Sequence, residues 1–244
     1  YEKDPGLLEL ADRVALKGVK KRLSSFWVHR ALRGHAGALT AADISADETR
    51  VLSLGAEGTL RLWELGTGRC VLSLKGAERK GAVAAFLPDG RHALSTGEDG
   101  TLRLCDLAAG KFVRAYAGHA ERVNAVAPLP SGRQAVSAGE DGTVRLWDLA
   151  DGRCLRVFEG HKGGVKTVAV SPDGRCAASG GDDSVVRLWD LADGRCLRSM
   201  AGHEYSVHAV AFRPDAGRLL SGSGDQSLRT WESADGTCQE ALEE

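Results

Sequence analysis

The stretch SAGEDGTVRLWDL, residues 137–149, contains two short apolar segments joined by an acidic turn with glycine. Versions of it occur five times in the chain, with a constant period of 42 residues. Four of the copies end on a tryptophan, at Trp63, Trp147, Trp189 and Trp231, and Cys105 occupies the remaining place. A histidine precedes each tryptophan by 28 residues, whereas Ala77 fills that slot before Cys105. A fixed period of this length predicts copies of one supersecondary unit packed side by side.

Each unit has the pattern of four short β-strands. In the fourth unit these are VKTVAV (165–170), RCAAS (175–179), VVRLWD (185–190) and RCLRSM (195–200). The separators SPDG, GGDD and LADG carry the proline, aspartate and glycine that tight turns require. One small sheet cannot cover both of its apolar faces, but copies arranged radially cover one another. The sequence therefore predicts an all-β fold.

These motifs resemble the WD40 family of β-propellers. The Gly-His opening and the Trp-Asp ending of Trp147-Asp148 and Trp189-Asp190 carry the resemblance, and the ending becomes Trp-Glu at Trp63-Glu64. The resemblance covers residues 26–244. It implies five four-stranded blades, with repeats at 35–76, 77–118, 119–160, 161–202 and 203–244.

The repeated Ser, His and Asp residues allow two interpretations. A hydrolase would need one activated, exposed hydroxyl beside an oxyanion site, and the chain has no GxSxG nucleophile elbow. Because the same group recurs in successive units, we favour a structural role. The resemblance implies a buried hydrogen-bonded chain from Asp through His and Ser to the indole. The predicted sets are His119, Ser137, Asp141 and Trp147; His161, Ser179, Asp183 and Trp189; His203, Ser221, Asp225 and Trp231; and, in the first unit, His35, Ser53 and Trp63.

Two units depart from this pattern. The first has Glu57 in place of the turn aspartate. The second keeps Ser95 and Asp99 but has lost the histidine and the tryptophan. We therefore expect the second blade to be the least stable, because its polar chain lacks a middle and it has lost a large apolar contact.

The first residues lie outside the strand pattern. Asp4-Pro5 and an apolar stripe at helical spacing predict a short helix or linker within residues 1–25. An extra strand is predicted at residues 26–32, although residues 237–242 can already supply the fifth unit's fourth strand. Two alternatives follow: a five-bladed ring in which one strand displaces or extends the other, or part of a larger propeller. We favour the larger propeller.

Composition excludes several classes of function. Lys plus Arg total 32 against 33 for Asp plus Glu, and the net charge of −1 gives no general attraction to nucleic acid or anionic membranes. The six cysteines form no CxxC pair, so we expect free thiols in the reducing cytoplasm. Neither GxGxxG nor GxxxxGK[ST] occurs, and we expect no cofactor and no metal.

The resemblance implies a non-catalytic platform for protein–protein interaction or sensing, and we expect it to belong to a larger regulatory multidomain protein. The alternative is a structural subunit of a large assembly. The family's usual contact surface consists of the loops before the first strand and between the second and third strands of each blade. Carried over to this chain, the predicted partner-binding residues are Lys80, Arg122, Asn124, Lys166, His208, Glu98, Glu140 and Asp182. Their charges predict a mixed-charge or acidic protein or peptide partner.

Overall fold

The computed structural model describes residues 31–75, 83–97 and 99–242. Within these residues the secondary structure consists of β-strands arranged in five sheets of four, which confirms the all-β fold. In chain order the strands are β1 (Leu39–Ile44), β2 (Arg50–Gly55), β3 (Thr59–Glu64), β4 (Cys70–Lys75), β5 (Ala84–Phe86), β6 (His92–Thr96), β7 (Leu102–Asp106), β8 (Lys111–Tyr116), β9 (Val123–Pro128), β10 (Gln134–Gly139), β11 (Val144–Asp148), β12 (Cys154–Phe158), β13 (Val165–Val170), β14 (Cys176–Gly181), β15 (Val185–Asp190), β16 (Cys196–Ala201), β17 (Val207–Phe212), β18 (Arg218–Ser223), β19 (Leu228–Glu232) and β20 (Cys238–Leu242).

Each sheet contains four strands that follow one another in the chain, and every neighbouring pair is antiparallel. We call these sheets blades 1 to 5, formed by β1–β4, β5–β8, β9–β12, β13–β16 and β17–β20. Because neighbouring strands are consecutive in the chain, short turns are enough to connect them. Gly152 and Gly194, in the turns before the fourth strands of blades 3 and 4, have φ of 86° and 85°, a left-handed conformation that favours glycine.

The fourth repeat shows how closely the predicted strands match the structure. Its first and third strands, β13 and β15, have the predicted bounds. Its second and fourth strands, β14 and β16, begin one residue later than predicted and extend farther. The turn residues therefore located the strand ends to within one or two residues in this blade.

The hydrophobic core lies between neighbouring blades. Between blades 3 and 4, Leu146 and Phe158 form one buried cluster with Trp189 and Leu191 of the next blade. Polar contacts cross the same kind of boundary: the hydroxyl of Tyr116 in blade 2 donates a hydrogen bond of 2.9 Å to a carbonyl of blade 3. Each blade thus covers the apolar face that its neighbour cannot cover alone.

The blades form an open arc. The first strands of successive blades contact each other in the order β1, β5, β9, β13 and β17, which places these strands on the inside of the arc. The five blades do not close into a ring. The helix or linker predicted within residues 1–25 and most of the strand predicted at 26–32 lie outside the described residues. Ala31 and Leu32, the described end of that segment, are not in a strand.

Candidate interaction surface

Blade 3 contains a complete hydrogen-bonded chain from the turn carboxylate to the indole. The Nδ1 atom of His119 lies 3.0 Å from both carboxylate oxygens of Asp141, and its Nε2 lies 2.7 Å from the Oγ of Ser137. The indole Nε1–H of Trp147 donates to the same Oγ at 2.8 Å. Ser137 and Trp147 are fully buried. The structure thus brings these four predicted residues into one connected group.

Blades 4 and 5 repeat the arrangement. His161 Nδ1 lies 2.9 Å from Asp183 and its Nε2 lies 2.7 Å from Ser179, which accepts the Trp189 indole at 2.8 Å. In blade 5 the corresponding distances are 2.8, 2.7 and 2.8 Å, among His203, Asp225, Ser221 and Trp231. Blades 3, 4 and 5 therefore contain the same hydrogen-bonded chain.

The donors and acceptors fix the protonation of these chains. Because the indole donates to the serine Oγ, the serine O–H can donate to His Nε2, and His Nδ1–H then donates to the carboxylate. Burial lowers the pKa of His119 and of His161, although their aspartates oppose this, and the lowered pKa favours the neutral imidazole. Burial alone would raise the pKa of Asp183, but hydrogen bonds, first that from His161, outweigh it and hold that pKa at about 2.

The same carboxylate ties together the two loops that form the surface. Asp141 lies between the second and third strands of blade 3. It accepts the backbone N–H of Ala120, in the loop before the first strand, at 3.0 Å. It also accepts the N–H and the hydroxyl of Thr143 at 3.0 and 2.8 Å. The buried chain therefore holds both loops in one geometry from below.

Glycine is required beside the histidine. A Cβ atom added to Gly118 would lie 2.8 Å from Cη2 of Trp147, closer than such atoms approach. The Gly-His pair thus lets the loop cross directly over the indole edge. This contact joins the opening and the ending of the repeat, which are 29 residues apart in sequence at Gly118 and Trp147.

Blade 1 keeps the chain with a glutamate. The Nδ1 of His35 lies 2.6 Å from the Oε1 of Glu57, and its Nε2 lies 2.7 Å from the Oγ of Ser53. The indole of Trp63 donates to Ser53 at 2.7 Å. The longer side chain still reaches the imidazole, so this substitution preserves the network.

Blade 2 lacks this hydrogen-bonded chain. The Oγ of Ser95 is buried without a hydrogen-bond partner among the described residues. Cys105, in the place of the indole, is fully buried and packs with apolar residues such as Phe86. Asp99 instead accepts a hydrogen bond of 2.7 Å from Arg103. Among the described residues, the blade that the sequence predicted to be weakest therefore has a buried hydroxyl without a partner, which costs stability.

On the loop surface above the buried chains, a second polar chain runs from blade 3 to blade 5. Arg122 Nε donates to Asn124 Oδ1 at 2.9 Å, and Asn124 Nδ2 donates to Glu140 at 2.6 Å. Lys166 Nζ of blade 4 then lies 2.8 Å from Glu140 and 2.9 Å from Asp182. The hydroxyl of Ser206 in blade 5 donates to Asp182 at 3.0 Å. We call these six residues the rim chain.

Charges in the rim chain are paired with one another. The Lys166 ammonium and the Asn124 amide lower the pKa of Glu140. Burial opposes the ionisation of Asp182 and Lys166, but their mutual contact and the neighbouring groups lower the pKa of Asp182 and raise that of Lys166. One lysine therefore lies between two carboxylates. The side chains of Glu140 and Asp182 keep 32% and 38% of their surface exposed, so a partner can reach them.

Five of the predicted partner-binding residues are thus joined in one chain: Arg122, Asn124, Glu140, Lys166 and Asp182. His208 lies on β17 of blade 5 and is exposed, but it is not part of that chain. Lys80 and Glu98 lie outside the described residues. The binding role of all eight stays a prediction.

Two further residues of this surface lie outside the predicted partner-binding set. Ser206 stands at the family contact position that Arg122 occupies in blade 3, and it extends the rim chain to blade 5. Tyr205 beside it is 63% exposed. It is the one aromatic residue at this place in the five repeats, which was visible in the sequence.

The repeat geometry agrees with a family model. The model described as "WD domain, G-beta repeat" matches residues 27–64, 68–106, 110–148, 152–190 and 194–232. The chain belongs to the WD40-repeat family. A comparison with curated proteins gives no significant match. WD40 repeats are generally protein–protein interaction or scaffold modules, so this chain is of a class that binds proteins or peptides.

Residues 31–75, 83–97 and 99–242 contain no group of three or more His, Cys, Asp or Glu side chains placed to hold a metal ion. The described part of the chain also has no helix long and apolar enough to cross a membrane. All six cysteines are free, and four of them are exposed at the start of fourth strands: Cys70, Cys154, Cys196 and Cys238.

Proposed function

We propose that this WD40 protein is a non-catalytic interaction module that recognises a mixed-charge segment of another protein on the loop surface of blades 3 to 5. The rim chain is the observation that carries this proposal. It links three consecutive blades through hydrogen bonds and ion pairs, and its charged side chains Arg122, Glu140 and Asp182 remain accessible. Groups held on rigid loops bind a partner with little loss of side-chain entropy.

The pairing inside the rim chain determines which partner fits best. Lys166 is already neutralised by Glu140 and Asp182, so a purely acidic segment would meet two carboxylates as well as the lysine. Arg122 uses its Nε on Asn124 and is exposed at one end of the chain. A segment with an acidic group near Arg122 and a basic group near Asp182 complements the charges of these two residues.

The buried Ser, His and Asp residues support a non-catalytic role. The serines of blades 3, 4 and 5 are at most 1% exposed, and each Oγ lies between an indole and an imidazole. A hydrolytic substrate would need to displace the indole to reach such a hydroxyl. These groups have a structural role, since they hold in place the loops that form the proposed interaction surface.

The wider role that we propose is that of a rigid platform within a larger regulatory multidomain protein. We also propose a cytoplasmic location, which the free thiols support because disulfides are rare in reducing compartments. A structural subunit of a large assembly is the second candidate. Uncovered apolar side chains at the two ends of the arc, such as Leu65 and Leu242, favour it.

A charge-reversal experiment tests the proposed surface. A partner would be isolated by affinity capture with the purified chain, and its binding segment would be synthesised as a peptide. The double variant Arg122→Glu with Lys166→Glu should weaken peptide binding at least tenfold, while circular dichroism stays unchanged. The matched control is Arg133→Glu with Arg175→Glu, which reverses two exposed charges of the same blades on the opposite loops. Equal affinities for both double variants would contradict the proposed site.

A further inference from the structure

The first strands of blades 3 and 4 each contain a β-bulge at the loop surface. In blade 3 the residues on either side of Asn124 pair with two successive residues of β10, so Asn124 is the additional residue. Lys166 is the additional residue at the same place in blade 4. A bulge changes the direction in which the side chain of the additional residue points. The backbone of each blade therefore aims one of the rim-chain side chains.

The side-chain amide of Asn124 is occupied by contacts within the protein. Its Nδ2 donates to Glu140 at 2.6 Å and to the carbonyl of Val165, in blade 4, at 2.9 Å. Both N–H donors of the amide are thus used. Its Oδ1 accepts the Nε–H of Arg122 at 2.9 Å. Two blades therefore hold this amide in place, and the amide in turn orients the guanidinium of Arg122.

The carboxylate of Glu140 is also occupied. Lys166 Nζ donates to its two oxygens at 2.8 and 3.0 Å, and Asn124 donates to one of them at 2.6 Å. The same ammonium lies 2.9 Å from Asp182. An acidic group that approached Lys166 would therefore meet two carboxylates. Arg122 is the cation of the rim chain that is left for an acidic group of a partner.

The guanidinium of Arg122 has one edge bound and one edge open. Its Nε is held by Asn124, and its main-chain carbonyl accepts the N–H of Glu140 at 2.8 Å. Among the residues that the structure describes, none forms a hydrogen bond or ion pair with its Nη1 or Nη2 atom. The side chain is exposed. The N–H groups of the two Nη atoms lie in one plane, which matches the two oxygens of a carboxylate.

We propose that Arg122 binds the carboxylate of an aspartate or glutamate of the partner through its two Nη atoms, and that Asn124 is the positioning residue. This inference rests on the proposed function and names the acidic group that the partner presents. A carboxylate fits better than a phosphate monoester, because a single amide separates Arg122 from Glu140 and the larger negative charge meets more repulsion. The fixed guanidinium also loses little side-chain entropy on binding.

A displayed library of random peptides supplies the probe for this proposal. Peptides selected on the wild-type chain should share an aspartate or glutamate at one position. The tightest peptide is then synthesised in three forms, with the carboxylate, the corresponding amide or phosphoserine at that position. We expect the carboxylate form to bind about tenfold more tightly than the amide form, because a hydrogen-bonded ion pair is lost. Selected peptides without a shared acidic position, or tighter binding of the phosphoserine form, would overturn the proposal.

Variants of the rim chain assign the preference for the carboxylate to its residues. Arg122→Gln should bind the carboxylate and amide peptides equally. Asn124→Ala keeps every charge and should lower the preference several-fold, with no further effect when it is combined with Arg122→Gln. The matched control Lys166→Ala removes the side chain of the neighbouring bulge and its ion pairs but not the contact between Arg122 and Asn124, so it should keep the preference.

The outcomes separate this inference from the proposed function. If Arg122→Glu with Lys166→Glu binds the selected peptide as tightly as the wild type, the proposed surface itself is wrong. If that variant loses binding but Arg122→Gln keeps the preference for the carboxylate, the surface stands and this inference is overturned. Equal preferences in folded Asn124→Ala and Lys166→Ala would overturn the positioning role. If Asn124→Ala fails to fold, Asn124→Gln replaces it, since it keeps an amide but displaces the oxygen.

Discussion

Lys166 of blade 4 lies 2.8 Å from Glu140 of blade 3, and this ion pair joins two blades at the loop surface. The residues are 26 positions apart in sequence and come from different loops and strands. Buried hydrogen bonds hold the loop that carries Glu140 in place from below. The positions of the surface charges are therefore fixed by the same hydrogen-bonded network that stabilises the blade. Variants of that network test this directly.

Removing a turn carboxylate should destabilise the protein where a histidine depends on it. Asp141→Ala removes the carboxylate that accepts from His119 Nδ1 and from the Ala120 N–H, so we expect the free energy of unfolding to fall by about 1–3 kcal/mol. Asp99→Ala is the matched control, because Asp99 stands at the same place in blade 2 but is 38% exposed and contacts Arg103. Urea denaturation measures both. Equal losses of unfolding free energy in the two variants would mean that the contact between Asp141 and His119 does not stabilise the fold more than the exposed contact of Asp99 does.

Two serines at the same repeat position should respond differently to alanine. Ser137 connects an indole to an imidazole, so Ser137→Ala should cost about 1–3 kcal/mol. Ser95 is buried with no partner for its Oγ among the described residues, so Ser95→Ala should be neutral or slightly stabilising. The comparison is made by thermal and urea unfolding of the two single variants. A large loss at Ser95 would show that blade 2 satisfies this hydroxyl in another way.

Stability should fall as the pH is lowered, in two stages. The folded pKa values of His119 and His161 are lowered by burial, so the unfolded chain binds more protons below about pH 6.5 and stability decreases there. Below about pH 4 the carboxylates add to the loss, because the folded pKa of Asp183 is held at about 2. Urea unfolding between pH 8 and pH 3 measures this dependence.

A variant distinguishes the histidine stage from general acid effects. His119→Asn removes one buried imidazole, so the loss of stability between pH 7 and pH 5 should become smaller than in the wild type, although the variant is less stable at neutral pH. An unchanged slope in this variant would contradict the assignment of that stage to the buried histidines.

The strand order could be predicted because the same strand and turn pattern recurs in five units, whereas the buried chains were predicted from the resemblance to the WD40 family. Trp147, His119 and Ser137 recur at fixed separations in other units, and only a fold that repeats with the same period gives each copy the same contacts. The turn residues also define strand ends in the fourth unit. Local pattern and period are sufficient for the strands, and the family resemblance was needed for the buried contacts.

The rim chain could not be predicted in the same way. Lys166 and Glu140 pair across a blade boundary, and the distance between them depends on how two sheets pack, which no local pattern encodes. The sequence placed both residues on one surface but left open whether Lys166 was free for an acidic partner. The contact between Glu57 and His35 could not be predicted for the same reason. Whether the additional methylene of the glutamate still allows this contact depends on the distance between the two backbone segments, which the sequence does not give.

Amide hydrogen exchange of the protein with and without its bound partner peptide tests whether the partner binds the loop surface of blades 3 to 5, since it reports which loops the partner covers. We expect slower exchange in residues 119–124 and 161–166, which comprise the loops before β9 and β13 and the first two residues of each strand, with little change in residues 129–133 and 171–175 on the opposite side. Protection confined to the opposite loops or to the outer strands β12 and β16 would contradict this expectation.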